Sequence, residues 1–198
     1  MDLINGVIGI LGTLLGTALG YRLTVSYDTR KENSRVKKIK DSLLFEIDDI
    51  ATAVEDRIRT IISTYQEAES GKFNGMFPGP LWAVMYEHSF REIFAELTTN
   101  ERENINIFYH AIAEYNDIVE QVTSRTDEVL KEELIGKLIG AAALCIRIKK
   151  LNYVFNKHSI SSVLNDNFYS ADTEGFVKGV IASNASLDKM MKTPLQRA

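Results

Sequence analysis

The sequence predicts an all-α protein in which one N-terminal transmembrane helix is followed by a cytoplasmic helical bundle. Two observations lead to this fold class. No charged residue lies between Asp2 and Arg22, and beyond that gap apolar residues recur every three or four positions, as on one face of a helix. The alternation of apolar and polar residues that marks half-buried strands is absent. We therefore expect a transmembrane helix over 1–22, a basic juxtamembrane segment over 23–40 and a helical bundle over 41–198.

The uncharged segment has two distinct faces when it is wound as a helix. It contains nineteen residues, which extend about 28 Å and so match a hydrocarbon core of roughly 30 Å. Small and polar residues fall within an arc of about 140°, and the opposite side is apolar apart from Tyr21. One face therefore suits lipid, and the other suits close helix packing or a pore lumen. The candidate pore-lining or helix-packing residues are Asn5, Gly9, Gly12, Thr13, Gly16, Thr17 and Gly20.

The charges around the segment predict its orientation. Seven basic residues and two acidic ones lie from Arg22 to Lys40, whereas only Met1 and Asp2 precede the segment. Positive charge stays on the cytoplasmic side, so we expect a single-pass protein with its N-terminus outside. A cleaved signal peptide is the main alternative, but the segment lacks a basic n-region. The basic residues expected to face anionic lipid are Arg22, Arg30, Lys31, Arg35, Lys37 and Lys38.

Helical periodicity and capping residues divide the rest of the chain into successive helices. A long amphipathic helix is predicted over 36–65, and a loop rich in glycine and proline over 70–80 follows it. Leu138–Ile146, which is apolar all round, is expected in the bundle core, with Cys145 as a buried, inert thiol. The later helices are predicted over 81–97, from a cap at Thr99 or Asn100 to about Val122, from a cap at Thr126 or Asp127 to about Phe155, and from Asp172 or Thr173 to before Pro194.

Two groups of side chains in the bundle have more than one interpretation. Acidic residues follow the basic segment and are interpreted as a solvated helix face, or alternatively as an acidic vestibule around the axis of an oligomer. Large apolar residues in the loop are predicted to pack on the bundle, and the alternative is that they are exposed to a partner. The acidic group is Asp41, Glu46, Asp48, Asp49, Glu55 and Asp56, and the loop group is Phe73, Met76 and Phe77.

The sequence contains no recognisable catalytic, metal or cofactor motif. His88, His110 and His158 lie on, or at the end of, different predicted helices, and no histidines or cysteines have the spacing of metal ligands. Phosphate-binding glycine loops and nucleophile elbows are also absent. We therefore expect no metal, no cofactor and no catalytic residue. The net charge of −4, more negative outside the basic segment, argues against direct nucleic-acid binding.

The glycine-rich span Leu3–Gly20, the basic run to Lys40 and the helical pattern after it resemble the small membrane effectors of prokaryotic antiviral defence. The architecture is similar to that of the membrane accessory proteins of type VI-B CRISPR systems. The resemblance implies an oligomeric pore that depolarises the bacterial inner membrane after infection, with an RNA-guided ribonuclease as a partner. It also implies a HEPN-like bundle, whose ribonuclease motif pairs an arginine with a histidine. Arg102 and His110 are the nearest match, with seven residues between them, a wider spacing than the motif has.

Three functions are compatible with these patterns. The first is a homo-oligomeric pore, since the small face is broader than a two-helix contact needs and Asn5 is costly in lipid unless it meets water or another amide. The second is a non-conducting anchor whose spans dimerise through Gly12, Gly16 and Gly20 while the bundle recruits a cytoplasmic partner. The third is a membrane-tethered HEPN-like ribonuclease. The pore is our leading hypothesis.

Overall fold

The computed structural model of the protein describes residues 2–73, 77–124, 131–161 and Gly179, and within these ranges it describes side chains from Gly12 onward. The helices are α1 (Asp2–Glu69), α2 (Val84–Ile93), α3 (Thr99–Thr123) and α4 (Lys131–His158), with a 3-10 turn, Phe94–Glu96, after α2. All regular elements in these ranges are helical, which confirms the all-α prediction. The chain divides into two compact units, Met1–Ser42 and Leu43–Ala198.

The first unit consists of the N-terminal part of α1. Asn5 and Gly9 of the predicted span lie outside the described side chains. Gly12, Gly16 and Gly20 leave open space beside the helix, because a Cβ atom added at any of them would have no neighbour within 4 Å. Among the described residues, no helix combines the length and the apolar character that crossing a membrane requires.

Threonine hydroxyls in this unit are satisfied by their own helix. The Thr17 hydroxyl donates to the Thr13 carbonyl at 2.8 Å, and Thr24 donates to the carbonyl of Gly20 at 3.0 Å. This bond to the preceding turn lets a threonine sit on a helix surface that has no water partner. The small face therefore presents a satisfied polar surface to whatever covers it.

The second unit is a bundle in which the C-terminal part of α1 packs with α3 and α4. Its core follows the apolar stripe predicted for each helix, and Leu138, Ala141 and Cys145 are completely buried at the centre of α4. This confirms that the segment over 138–146 lies in the core. The other fully buried large side chains include Leu43, Ile47, Ile58, Ile61, Ile105, Phe108, Tyr115, Ile148 and Leu151.

The start of α2 differs from the prediction, because Leu81 is not helical. The side-chain amide of Asn116 in α3 accepts from the Leu81 N–H and donates to the Leu81 carbonyl, both at 2.8 Å. This pair of hydrogen bonds satisfies both backbone groups of Leu81, as a neighbouring β-strand would. It therefore keeps Leu81 out of the helix. α2 consequently begins at Val84 and ends at Ile93, shorter at both ends than the predicted helix over 81–97.

The cap of α3 also differs from the prediction. Thr98, and not Thr99 or Asn100, is the N-cap, and it forms a capping box with Glu101. The Thr98 hydroxyl accepts from the Glu101 N–H at 3.3 Å, while the Glu101 carboxylate accepts from the Thr98 N–H at 2.7 Å. Two backbone donors of the first turn are thereby satisfied, so this register is preferred.

Some predicted features lie outside the described residues. These are the caps Thr126 and Asp127, the loop residue Met76, and, apart from Gly179, the last helix from Asp172 or Thr173 to before Pro194. The fourth helix continues to His158.

Candidate functional site

The carboxylate of Glu46 joins three helices of the second unit. α2 has no side-chain cap of its own at Ala83. Glu46 of α1 replaces it, since its oxygens accept hydrogen bonds from the backbone N–H of Met85 (2.6 Å) and of Tyr86 (3.1 Å). The Tyr109 hydroxyl of α3 donates to the same carboxylate at 2.6 Å. A negative group at a helix N-terminus also complements the helix dipole, so Glu46 fixes where α2 starts.

Tyr109 lies in an aromatic stack beside this carboxylate. Its ring is stacked on Tyr86 with the centroids 4.0 Å apart, and the Tyr86 hydroxyl donates to Asn106 Oδ1 at 3.0 Å. Burial raises the pKa of Tyr109 well above its usual value, and the hydrogen bond to negative Glu46 raises it further. The phenol therefore keeps its proton near neutral pH and donates it in the hydrogen bond to Glu46.

Two more acidic residues of α1 hold α4. Asp48 accepts hydrogen bonds from the side-chain amides of Asn152 (3.1 Å) and Asn156 (3.2 Å). Glu55 forms an ion pair with Lys149. Each of these contacts joins residues far apart in the chain, so they help to fix the register between α1 and α4.

The interpretation of the acidic residues as one solvated face is wrong for Glu46 and Glu55, which are partly buried. It is incomplete for Asp48, which is exposed but also binds α4. The physical reason is their helical position, because each lies at the border of the buried stripe and can reach a donor on the next helix. Asp41, Asp49 and Asp56 are exposed. The acidic group therefore divides into three residues that bind neighbouring helices and three that face solvent.

A cleft of about 260 Å³ lies between α1 and the segment that precedes α2. Arg57 Nη2 donates to the Pro80 carbonyl at 3.5 Å, and its Nε is buried without a hydrogen-bond partner among the described residues. The Tyr115 hydroxyl fixes the neighbouring loop by donating to the Gly79 carbonyl at 3.2 Å. The cleft is lined by Glu46, Asp49, Ile50, Ala53, Arg57, Pro80, Leu81 and Trp82.

Three large apolar side chains of α1, of the segment before α2 and of the start of α2 are exposed, and one of them lines the cleft. Trp82 at its edge is 75% exposed, and Val84, which begins α2, is 57% exposed. Phe45 is 68% exposed and lies one helical turn before Asp49, so it is on the side of α1 that borders the cleft. We call Phe45, Trp82 and Val84 the apolar patch.

The histidines and the cysteine are placed as the sequence predicts. His88 lies on α2, His110 on α3 and His158 at the end of α4. In the described ranges no group of histidine, cysteine and acidic residues is arranged to hold a metal ion. Cys145 is buried, and burial raises the pKa of its thiol well above the usual value, so it is a poor nucleophile.

Arg102 and His110 make separate contacts on α3. Arg102 Nε donates to the Leu97 carbonyl at 3.0 Å, and its guanidinium lies 4.7 Å from the centre of the Phe94 ring. His110 is exposed, and its Nε2 atom lies 3.2 Å from Oε1 of Glu114. These contacts tie Arg102 to the 3-10 turn, while His110 interacts along α3 with a carboxylate.

The candidate residues of the first unit are exposed wherever their side chains are described. Of the basic residues, Arg35 is bound to Glu32 at 2.8 Å, and its hydrogen bonds lower the pKa of that carboxyl. Arg22, Arg30, Lys31, Lys37 and Lys38 are exposed. In the predicted loop group, Phe73 and Phe77 are half-buried.

The cleft residues Arg57 and Trp82 are functional candidates that sequence reasoning missed. A signal for Arg57 exists, because it follows Ile50 by seven residues and Ala53 by four, and so continues the inner stripe of α1. No comparable signal marks Trp82, which follows the non-helical Leu81 that Asn116 binds.

Comparison of the chain with family models, with curated proteins and with solved structures finds no match in any of the three.

Proposed function

We propose that the chain is a homo-oligomeric membrane protein whose N-terminal helices pack through their small face and line or gate a pore. One observation carries the proposal: the N-terminal helix separates glycine and threonine from large apolar residues. Leu14, Leu15 and Leu19 each expose about three fifths of their surface, while Gly12 and Gly16 leave open space on the other side. Burying a leucine is worth about 1.5–3 kcal/mol, so the leucine face favours a cover of lipid. The glycine face lets helix backbones approach closely and is proposed to pack against sister helices.

The role of such a pore follows from the resemblance to membrane effectors of antiviral defence. Ion flow through it would depolarise the bacterial inner membrane after infection, with the bundle in the cytoplasm beside an RNA-guided ribonuclease. The exposed basic residues after Arg22 support this orientation. Each of them near an anionic leaflet adds about 1 kcal/mol of attraction.

The test is a double substitution on the small face, Gly12→Leu with Gly16→Leu. Bulky side chains there keep helix backbones apart, so we expect the oligomer to dissociate in mild detergent and ion flux from loaded liposomes to stop. Light scattering after chromatography measures the first result, and a potential-sensitive dye measures the second.

Ala18→Leu is the matched control, because it adds the same side chain on the apolar face. It should leave the oligomer and the flux unchanged. Unchanged conductance in the double variant would refute the pore. Substitution of Asn5, Thr13 or Thr17 by leucine should lower conductance while oligomers persist, because these residues are proposed to face the lumen.

A second candidate function is a non-conducting anchor that recruits a cytoplasmic partner. The apolar patch on the bundle favours this anchor function, since the patch is exposed and belongs to a different unit from the span. Intact oligomers without any ion flux would select this function over the pore.

A further inference from the structure

The small face of α1 continues beyond the proposed span with two large apolar residues. Leu23 follows Gly16 by seven positions, and Tyr27 follows Gly20 by seven. The helix is unbroken through these positions, and residues seven apart on a helix differ in direction by only about 20°. Leu23 and Tyr27 therefore lie on the small face, where they are 71% and 67% exposed.

These two side chains indicate how far a contact between sister helices extends. They follow Arg22, the first charge after the span, and so lie where the helix leaves the hydrocarbon core. Burying apolar surface of this size is favourable, and a second copy packed on the small face would cover both side chains. The contact that the pore requires is therefore expected to reach at least Tyr27.

Charged residues after Tyr27 are sorted between the two sides of the helix. Between Tyr27 and Lys38, four of the five basic residues lie within about 60° of Gly16, at 100° per residue, and both acidic residues lie at least about 120° away. The fifth basic residue, Arg35, is bound to Glu32 at 2.8 Å. The four basic residues, which are all exposed, are Arg30, Lys31, Lys37 and Lys38, and the two acidic residues are Asp28 and Glu32.

Distance from the membrane shows that lipid does not account for all of these cations. Lys37 lies fifteen residues beyond Arg22 on the same helix, which is about 22 Å of helix. Screening limits the attraction of an anionic surface to about 8–10 Å at physiological salt. On a helix that crosses the membrane, Lys37 and Lys38 are therefore beyond the reach of headgroups.

Packing of sister helices through the small face would gather the four cations of each helix around one axis. Asp41 lies on the same face, seven residues after Ser34 and twenty-one after Gly20, and offsets one of the four charges. Like charges that converge repel one another unless anions enter between them. In pores, rings of lysine and arginine favour anions, as rings of aspartate and glutamate favour cations.

We propose that Arg30, Lys31, Lys37 and Lys38 form a basic ring at the cytoplasmic mouth of the pore, and that the pore conducts small anions in preference to cations. The inference rests on the proposed pore, because these residues converge only if sister helices pack through the small face. Leu23 and Tyr27 hold the helices together just before the basic ring. Anions that leave a cell whose interior is negative depolarise its membrane, so the preference is compatible with the proposed role.

The experiment measures current through the full-length protein in planar bilayers of neutral phosphatidylcholine, with unequal concentrations of potassium chloride on the two sides. Neutral lipid removes the surface charge of the membrane from the measurement. We expect the current of the parent to reverse between zero and the equilibrium potential of chloride. Reversal at zero would overturn the anion preference. Reversal toward the potassium potential would also overturn it and would favour the acidic vestibule.

A double substitution, Lys31→Glu with Lys38→Glu, tests whether the basic ring sets the preference. It leaves more acidic than basic residues on the small face after Tyr27, so the reversal potential should move to the potassium side of zero. Lys31→Gln with Lys38→Gln, which introduces no acid, should move the potential toward zero. Equal reversal potentials in the parent and in both variants would show that the basic ring does not face the permeating ions.

Thr29→Glu is the matched control, because it adds the same acidic side chain at the height of the basic ring but on the apolar face. Thr29 is exposed, and the substitution should leave the reversal potential unchanged. A shift as large as that of the double glutamate variant would contradict the placement of the basic ring. Absence of any current in the parent would refute the pore itself, whereas current without anion preference would overturn the basic ring alone.

Discussion

At the scale of single residues, the bundle depends on charged groups that leave the solvent side of one helix and bind another. Glu46 is the clearest case, because one carboxylate receives two backbone donors of α2 and the hydroxyl of Tyr109. Asp49, less than one turn further along α1, is exposed. Of these two neighbouring carboxylates on one helix, Glu46 thus binds two other helices, whereas Asp49 faces solvent.

We predict that Glu46→Gln destabilises the bundle by about 1–2 kcal/mol. The amide keeps the size of the side chain but has a single, neutral acceptor in place of a charged pair of oxygens. Urea unfolding followed by far-ultraviolet circular dichroism measures the change. Asp49→Asn is the matched control and should stay within about 0.5 kcal/mol. Equal effects of the two substitutions would contradict the role assigned to Glu46.

At the scale of helices, α1 is terminated by Gly71, where the backbone conformation requires a glycine. Gly71 has φ of +71°, and its N–H donates to the Ala68 carbonyl at 3.2 Å while the Lys72 N–H donates to Glu67 at 2.9 Å. This is a Schellman motif, in which a left-handed residue ends the helix. Gly136, in contrast, lies within α4, where nothing would contact an added Cβ atom.

The same substitution should therefore have opposite signs at these two glycines. Gly136→Ala is predicted to stabilise the protein by about 0.5–1 kcal/mol, since alanine loses less conformational entropy in a helix. Gly71→Ala is predicted to destabilise it by about 1 kcal/mol, because an L side chain is strained at that φ. Thermal unfolding of both variants beside the parent measures the pair. A fall in stability for Gly136→Ala would contradict this account of α4.

Helix positions could be predicted from the sequence where local chemistry decides them. The apolar stripe of α1, the buried centre of α4 and the loop that starts near Gly71 all follow from periodicity and glycine. The spacing of Thr98 and Glu101 also matches a capping box, a signal that the prediction of a cap at Thr99 or Asn100 missed. The start of α2 was not, because Asn116 acts on Leu81 from thirty-five positions away.

At the scale of the whole molecule, the cleft could not be predicted because packing creates it. Asp49 and Arg57 belong to α1, whereas Pro80 and Trp82 come from a segment that the sequence assigns partly to a helix. The long-range hydrogen bonds of Glu46, Asn116, Tyr115 and Arg57 help to bring these residues together. The separation of faces on the N-terminal helix, by contrast, needs nothing beyond the order of its residues.

The bundle as a whole should lose stability in alkaline solution. Burial raises the pKa of Tyr109, of Tyr115 and of the Cys145 thiol above their usual values. In the unfolded chain the thiol loses its proton near pH 8.5 and the phenols near about pH 10, whereas the folded protein keeps all three. The unfolded state then binds fewer protons, so stability is constant below about pH 8 and falls as the pH rises further.

Each proton retained only in the fold contributes a slope of about 1.4 kcal/mol per pH unit. Stability measured by urea unfolding from about pH 8 to pH 11 should therefore fall, with these three groups contributing a slope of up to about 4 kcal/mol per unit at the alkaline end. The raised pKa of Tyr86 adds to this fall, and the lowered pKa of Lys150 opposes it. Tyr109→Phe should reduce that slope by about 1.4 kcal/mol per pH unit, which is the contribution of one proton. The same substitution lowers stability at neutral pH, because it removes the hydrogen bond to Glu46. If the slope in Tyr109→Phe equals that of the parent, the buried phenol does not hold its proton in the folded protein.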